Sequence, residues 1–357
     1  MLDAFTTAFL LQDGLTSGLI YALLALSLIL VFTVTRVLFI AQGELVAFAA
    51  LTMAALEQGR VPGTVYVLFI LGVCCFLLEG FAVLKTARRN SHPVAATLRR
   101  IGARALQYLV VPGILAGVII VTTPMHLSRI WTAALTIALV TMMGPMLYRL
   151  VFQRIADSSL LALLFVSVAV HYVLLGIGLS SFGAEGWRTQ AFSKFQFAIG
   201  ALSISGQTII VWCVVFTLIL LLWLFFQKSY PGRVLIATAR NRKGAKLVGI
   251  RPELAGKLAF GFAAAIGALS GILISPTLTF YYDSGFLIVL KGLVAAVIGA
   301  MASYPLAMVG AMAVGTTESF AAYFASTFKE AIVFLLLVPF LLWMSLRTKR
   351  TFEADED

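Results

Sequence analysis

The chain has 357 residues, of which 61% are hydrophobic and only 11% are charged, and its formal net charge at pH 7 is +11. Soluble domains are ordinarily about 45–50% apolar and about 25% charged, so this composition excludes a soluble globular protein and predicts a membrane protein. The basic residues lie between long apolar runs, which favours membrane orientation over nucleic-acid binding as their role. Cys74, Cys75 and Cys213 all lie within apolar runs, so neither a disulfide framework nor a metal site is expected. The N-terminal residues lack the basic region of a signal peptide, so none is expected.

A membrane-spanning helix needs about 20 mainly apolar residues, and eleven stretches of the chain approach that length. They are residues 14–34, 38–57, 64–84, 106–122, 131–149, 159–179, 207–227, 257–277, 286–301, 305–322 and 328–346. Stretch 286–301 is short, and a re-entrant or broken helix is the alternative to a full span there. The predicted fold is therefore all-α, a polytopic transmembrane helix bundle of about eleven spans, in the range of nine to eleven.

Lysine and arginine residues indicate how the bundle is oriented in the membrane. If the N-terminus lies outside, 20 of the 26 Lys and Arg residues, including Arg347, Lys349 and Arg350 near the C-terminus, fall on the cytoplasmic side. Since basic loops of membrane proteins face the cytoplasm, the sequence predicts an external N-terminus and a cytoplasmic C-terminus. Two predicted cytoplasmic loops are strongly basic: residues 85–105 and residues 228–257, the latter with eight Lys and Arg.

Small residues recur at every fourth position in several of these stretches. The series are Gly14, Gly18 and Ala22; Gly267 and Gly271; Gly292, Ala296 and Ala300; and Ala307, Ala311 and Gly315. Such series allow two helix backbones to approach closely, and they predict tight helix packing, with a moving helix interface as the alternative.

Three ionisable residues at membrane depth are candidate functional residues, because a charge placed there is costly unless it has a function or a partner. Glu44 either has a function, in lining a pathway or in holding the kink between the first two spans, or is an interfacial carboxylate satisfied by the backbone or by Gln42. Glu318 is either a pathway residue or a buried structural carboxylate. Lys291 is predicted to snorkel to the outer surface, and the alternative is that it faces a polar cavity.

Other polar residues have simpler interpretations. Glu79 is expected to pair with the nearby Lys85 or Arg88 at the membrane surface. His171 is expected to be a hydrogen-bonded packing residue. We expect Lys329 and Glu330, at an outer turn, to be solvated.

The sequence contains no Walker A loop, no G-x-S-x-G or H-E-x-x-H motif and no paired acidic cluster. We therefore expect no catalytic residue, no metal ligand and no cofactor bound by this chain. Within the basic loop 228–257, residues 235–250 predict a short amphipathic helix that ends at Gly249 and is suited to docking in a groove of a soluble protein.

Three segments together resemble one family, the permease subunits of the branched-chain amino acid class of bacterial ABC importers. The first, residues 14–48, has a Gly-rich span, a turn and the signature Gln42-Gly43-Glu44. The second, residues 232–250, is similar to the coupling loop of these permeases. The third, residues 291–334, has a Gly-rich turn, a span that begins with Pro, a Glu and an aromatic-rich outer turn.

The resemblance implies a multi-pass transport subunit in the bacterial cytoplasmic (inner) membrane, and not an enzyme. It implies four partners: two cytoplasmic ATPase subunits that bind ATP, a second permease chain, identical or different, and a periplasmic solute-binding protein. The expected solutes are branched-chain or related amino acids, amides or small carboxylates. The whole chain, 1–357, would form one permease domain. The residues expected to couple it to the ATPases are Thr238, Ala239, Arg240, Arg242, Lys243, Ala245, Leu247 and Gly249.

We place the substrate pathway where small-residue series and polar residues coincide, between region 14–48 and stretches 286–322, and assign Gln42, Glu44, Lys291 and Glu318 to it. Two segments depart from the family pattern. Residues 58–128 are predicted to be an inserted two-span hairpin at the outside of the bundle, and the tail RTKRTFEADED replaces the usual end.

Two other classes of protein are weighed against the importer. A secondary transporter of a small organic solute would need coupling-ion sites and broken helices in matched halves, and the sequence has no clear internal repeat. An intramembrane enzyme would need a catalytic cluster at one interface, and the sequence offers none.

Overall fold

The computed structural model describes residues 3–90, 94–125, 127–199 and 202–342. The predictions that concern Arg347, Lys349 and Arg350, the tail, and the end of stretch 328–346 lie outside the described residues.

Helices make up most of the described chain, as expected for a membrane-embedded protein, because backbone groups in a bilayer must find hydrogen-bond partners within the protein. In chain order the helices are α1 (Ala4–Thr35), α2 (Gln42–Glu57), α3 (Thr64–Asn90), α4 (Val94–Ala105), α5 (Val111–Thr122), α6 (Arg129–Leu150), α7 (Leu160–Phe182), α8 (Gly206–Lys228), α9 (Tyr230–Arg240), α10 (Arg242–Leu247), α11 (Pro252–Ile274), α12 (Ser284–Ile298), α13 (Tyr304–Phe324) and α14 (Lys329–Leu335). A π-helical turn, Leu106–Val110, joins α4 to α5. Strands β1 (Gln196–Ile199) and β2 (Leu202–Ser205) form an antiparallel hairpin with Gln196 opposite Ser205.

Seven helical segments of the described chain are long and apolar enough to cross a membrane, which supports a multi-pass helical bundle. They are Ala4–Thr35, Thr64–Ala87, Thr97–Met125, Arg129–Arg154, Leu160–Phe182, Gly206–Lys228 and Pro252–Ile274. The remaining predicted stretches coincide with α2, α12, α13 and α14. Because α2 and α12 have 16 and 15 residues, they are about 24 and 22 Å long, shorter than the roughly 30 Å hydrocarbon core. The number of eleven spans stays a prediction.

The segment 85–105, predicted as a loop, is mostly helical. Helix α3 continues to Asn90, and α4 begins at Val94. The sequence of α4, VAATLRRIGARA, is rich in Ala and Arg, which favour helix, and its charges can still remain in water because the helix is amphipathic. In the two segments of the predicted inserted hairpin, 28% of the most apolar window of Thr64–Ala87 and 17% of that of Thr97–Met125 are buried, against 28% for Leu160–Phe182 and 67% for Pro252–Ile274. The position of this hairpin at the outside of the bundle stays a prediction.

The described chain divides into two compact units. Unit I contains the described parts of Met1–Thr33, Ala191–Leu224 and Leu287–Asp357. Unit II contains the described parts of Val34–Gln190 and Phe225–Phe286. Each unit is assembled from segments that are distant in the chain. Residues from different segments of one unit therefore come into contact only when the chain folds.

Unit II is centred on α11, which packs against α6 and α2. Its aromatic core surrounds Phe260, whose ring centroid lies 4.6 Å from that of Phe39, 5.0 Å from that of Tyr148 and 5.2 Å from that of Phe152. Glycine makes the close approach possible, since a Cβ on Gly144 would meet the carbonyl oxygen of Phe260.

Unit I contains a small-residue seam between α1 and α13. The sequence predicted tight packing at both series of small residues, but not that these two helices pack against each other. A Cβ on Gly18 would lie 2.9 Å from the carbonyl oxygen of Ala311, and a Cβ on Gly14 would lie 2.6 Å from Cα of Thr316. From the other side, a Cβ on Gly315 would meet the backbone of both α1 glycines. The two backbones are thus in direct contact, and no larger side chain fits between them.

Candidate functional site

The coupling segment forms two helices, where the sequence predicted one over residues 235–250. Helix α9 ends at Arg240, and Asn241 takes an extended conformation with φ −152° and ψ 96°. Its side-chain oxygen then accepts a hydrogen bond from the backbone N–H of Gly244 at 2.8 Å and so caps α10. The prediction of one helix was wrong because an asparagine whose side chain caps the next helix interrupts the first.

The end of this segment is where the sequence placed it. Gly249 has φ +85°, a left-handed conformation that glycine adopts without strain. The N–H of Gly249 bonds to the carbonyl of Lys246, and the N–H of Ile250 bonds to the carbonyl of Ala245. These bonds satisfy carbonyl groups at the end of α10 and fix the direction in which the chain leaves it.

The predicted coupling residues divide into a buried set and an exposed set. Thr238 and Ala245 are buried, and the hydroxyl of Thr238 donates to the carbonyl of Val234. Arg242 donates to the carbonyl of Ala156 at 3.1 Å, which ties α10 to the rest of unit II. These three residues therefore hold the segment in place.

The exposed set consists of Arg240, Lys243, Leu247 and Gly249, with Ala239 half-buried. Leu247 is 88% exposed, and its neighbour Val248, which the sequence argument did not select, is 76% exposed. Two bare apolar side chains among basic residues form a patch that suits a protein partner.

Glu44 lies in the first turn of α2 and is completely buried in unit II. Its Oε1 lies 3.0 Å from Nδ1 of His171 on α7. Within the described residues neither carboxylate oxygen of Glu44 makes a hydrogen bond of normal geometry, so the contact with His171 is one of proximity alone. The predicted satisfaction by Gln42 is not seen, since Nε2 of Gln42 donates to the carbonyl of Ala263 at 2.7 Å instead. A buried carboxylate held this loosely is costly, which favours a functional role.

Lys291 is buried in unit I and does not snorkel to a surface, so that prediction was wrong. Its Nζ lies 2.5 Å from Oε1 of Glu318 and 3.2 Å from Oε1 of Glu330. The hydroxyl of Tyr21 donates to the other oxygen of Glu318 at 2.6 Å, and the Tyr21 ring lies 5.8 Å from Nζ. A nearby bond joins Ser319 to Asp13 across α13 and α1. The ammonium group stays buried because carboxylates from two other helices surround it.

Two further predictions about charged residues need correction. Glu330 was expected to be solvated with Lys329, but it points to Lys291, and only Lys329 is well exposed. Glu79 was expected to pair with Lys85 or Arg88; among the side chains that the structure describes, it pairs with Nε of Arg149 on α6 at 2.6 Å. In both cases the partner comes from a distant helix, and sequence spacing gives no sign of it.

The structure thus brings Lys291 and Glu318 together in unit I, while Gln42 and Glu44 belong to unit II. Comparison with known proteins assigns the sequence of this chain to a family. The sequence model of the family described as "Branched-chain amino acid transport system / permease component" matches residues 101–344. This chain belongs to that family.

The relatives of this permease carry matching names. The high-affinity branched-chain amino acid transport system permease protein LivH of Escherichia coli strain K12 is 27% identical over 212 residues, which cover 56% of this chain and 68% of LivH. LivH of Salmonella typhimurium gives the same values. The permease protein BraD of Pseudomonas aeruginosa is 31% identical over 150 residues, 42% of this chain and 49% of BraD. No solved structure matches the permease.

This protein is therefore a multi-pass membrane permease and a transport subunit, not an enzyme.

Sequence reasoning missed Tyr21, Glu330 and Val248. Tyr21 carried one signal, a phenol in the middle of an otherwise apolar span, where a hydroxyl group needs a partner.

Proposed function

We propose that this permease forms part of the transmembrane pathway of an ATP-driven importer for branched-chain or related amino acids, amides or small carboxylates, in the bacterial inner membrane. Its partners in this proposal are two cytoplasmic ATPase subunits, a second permease chain and a periplasmic solute-binding protein. ATP is bound by the ATPase subunits, and this chain binds no cofactor. The family membership supports the class of transport, and the names of LivH and BraD support the class of solute.

The observation that carries the coupling role is the exposed tip of the α9–α10 segment. Leu247 and Val248 offer an apolar anchor, and the same segment also exposes the basic side chains of Arg240 and Lys243. An apolar centre with a charged rim is the usual anatomy of a protein interface. Because α10 is capped by Asn241 and anchored by Arg242, a pull on the tip is transmitted to unit II rather than absorbed by a flexible loop.

In the pathway proposal, Gln42 and Glu44 of unit II and Lys291 and Glu318 of unit I act on the solute or on the movement that admits it. Glu44 supports this proposal best, since it is a buried carboxylate without a well-formed hydrogen bond. We propose further that the chain has eleven spans in one permease domain, with the N-terminus outside and loops 85–105 and 228–257 in the cytoplasm. The charge distribution supports this orientation.

A photo-crosslinking amino acid at position 247 tests the coupling role in cells that express the complete transporter. We expect a crosslinked product that contains an ATPase subunit, identified by its Walker A peptide in mass spectrometry. Leu221 on α8, which is 56% exposed in an apolar span, is the matched control and should give no such product. A product of equal yield from position 221, or none from position 247, would contradict the proposal.

A transport assay separates the importer from a secondary transporter. Uptake of radiolabelled leucine should require the ATPase subunits and cellular ATP and should continue when a protonophore collapses the proton gradient. Uptake by this permease alone, driven by an ion gradient, would favour the secondary transporter.

A further inference from the structure

Unit II contains an apolar groove of about 830 Å³ on the flank of α5, α6 and α11. Its floor is made of small side chains, Ala134 and Ala138 of α6 and Ala265 of α11. One wall is the α5 series Val111, Ile114, Leu115 and Val118, spaced as one face of a helix. The groove is open to the side, and Ile114 is 62% exposed.

The helical segment Thr97–Met125, which includes α5, and helices α6 and α11 carry basic residues beyond one end of the groove. Arg104 precedes Val111 by seven residues, Arg149 follows Met142 by seven, and Lys257 precedes Ala265 by eight. At 1.5 Å a residue, each cation lies about 10–12 Å along its helix from the groove. The three are neighbours, since Glu79 contacts both Arg149 and Arg104, and Lys257 bonds to the hydroxyl of Tyr108 in the π-helical turn.

This basic cluster, Arg104, Arg149 and Lys257, has too little negative charge. Within the described residues, Glu79 is the one carboxylate that forms an ion pair with it, so three cations face one anion. The ion pair of Arg104 is long, at 3.6 Å, and its side chain is 40% exposed. An anion can therefore reach the cluster without displacing Glu79.

We infer that the groove and the basic cluster together bind one anionic phospholipid, with its phosphate at the cluster and an acyl chain in the groove. The dimensions agree, since one leaflet contributes about 15 Å of hydrocarbon and the groove begins about 10 Å from the cations. Positive charge at a membrane surface favours anionic over zwitterionic headgroups. The bound lipid joins the predicted inserted hairpin, through α5, to α6 and α11.

Native mass spectrometry of the purified, delipidated permease tests this inference, with phosphatidylglycerol and phosphatidylethanolamine of identical acyl chains as probes. We expect wild-type protein to retain phosphatidylglycerol in preference. The double variant Arg104→Gln with Lys257→Gln should lose this preference. The ratio of retained phosphatidylglycerol to retained phosphatidylethanolamine should fall about fivefold for each cation removed. Lys243→Gln with Lys246→Gln removes two exposed cations from α10, which does not line the groove, and should keep the preference.

A second variant tests the groove itself. Ala134→Phe places a ring in the floor at an exposed position, so the protein should still fold but should retain less of either lipid. Equal retention of the two lipids by wild type would overturn the inference and indicate a surface lipid only. Displacement of the lipid by inorganic phosphate would also overturn the inference. So would an Ala134→Phe variant that retains lipid as the wild type does but loses a co-purified second permease, because that result would make the groove a protein interface.

Discussion

Replacing Lys291 by methionine should destabilise the permease more than any comparable change on its surface. The substitution keeps the length and apolar stem of the side chain and removes only the charge. Glu318 and Glu330, whose side chains are 15% and 32% exposed, would then face each other without a cation. Removing one partner of a buried ion pair typically costs about 3–5 kcal/mol of folding stability. Because Glu330 is partly exposed, we expect a loss of about 3 kcal/mol.

Lys329→Met is the matched control, because Lys329 also contacts Glu330, at 3.9 Å, but is 42% exposed. Exposed ion pairs contribute about 0–1 kcal/mol, so this variant should melt close to wild type. The double variant Lys291→Met with Glu318→Gln should recover part of the lost stability. The amide removes the uncompensated charge and can still accept the hydrogen bond from Tyr21.

The assay is the temperature at which half of the detergent-solubilised permease loses its monodisperse peak in fluorescence-detected size-exclusion chromatography. We expect the order wild type, Lys329→Met, double variant and Lys291→Met, from most to least stable. A melting temperature of Lys291→Met equal to that of Lys329→Met would refute the reasoning. So would a double variant that is no more stable than Lys291→Met.

Four further changes probe the other elements. Glu44→Gln should lower leucine uptake by about tenfold or more with normal expression and assembly, since a hydrogen bond from the solute to a charged carboxylate would be worth about 1.5–3 kcal/mol; normal uptake would leave only a packing role. Gly249→Val should uncouple transport from ATP hydrolysis while the protein still inserts, because a left-handed backbone at a β-branched residue costs about 1–2 kcal/mol; unchanged uptake and unchanged ATPase stimulation would speak against coupling. Gly18→Leu should cost about 1–3 kcal/mol by forcing α1 away from α13, measured as lower thermal stability, and Gly18→Ala should cost less. Single cysteines at Arg99 and Lys243 should react with a membrane-impermeant thiol reagent only in inside-out vesicles; labelling of either position in intact cells would overturn the predicted orientation.

The sequence by itself determined the protein class, most of the apolar helices and the positions where helices pack tightly. Apolar runs are sufficient for the helices, because a bilayer admits few other structures. The glycine series of α1 and α13 predicted tight packing at both helices, and Gly249 predicted the end of the coupling segment, because glycine has a local conformational meaning. Asn241 shows the limit of such signals. An asparagine can lie on the surface of a helix or cap the start of one, and the prediction from sequence did not include the cap.

Only the tertiary structure decided where each charge goes. Lys291 was expected at a surface because a lone lysine among apolar residues has no visible partner in sequence, yet Glu318 and Glu330 lie 27 and 39 positions away and meet it. His171 and Glu44 meet across 127 residues, and Arg149 and Glu79 across 70. Periodicity reports which side of a helix is apolar, but it carries no information about which helix lies opposite. In a low-dielectric environment that neighbour determines whether a charge is stable, and it is set by how the distant segments of each unit assemble.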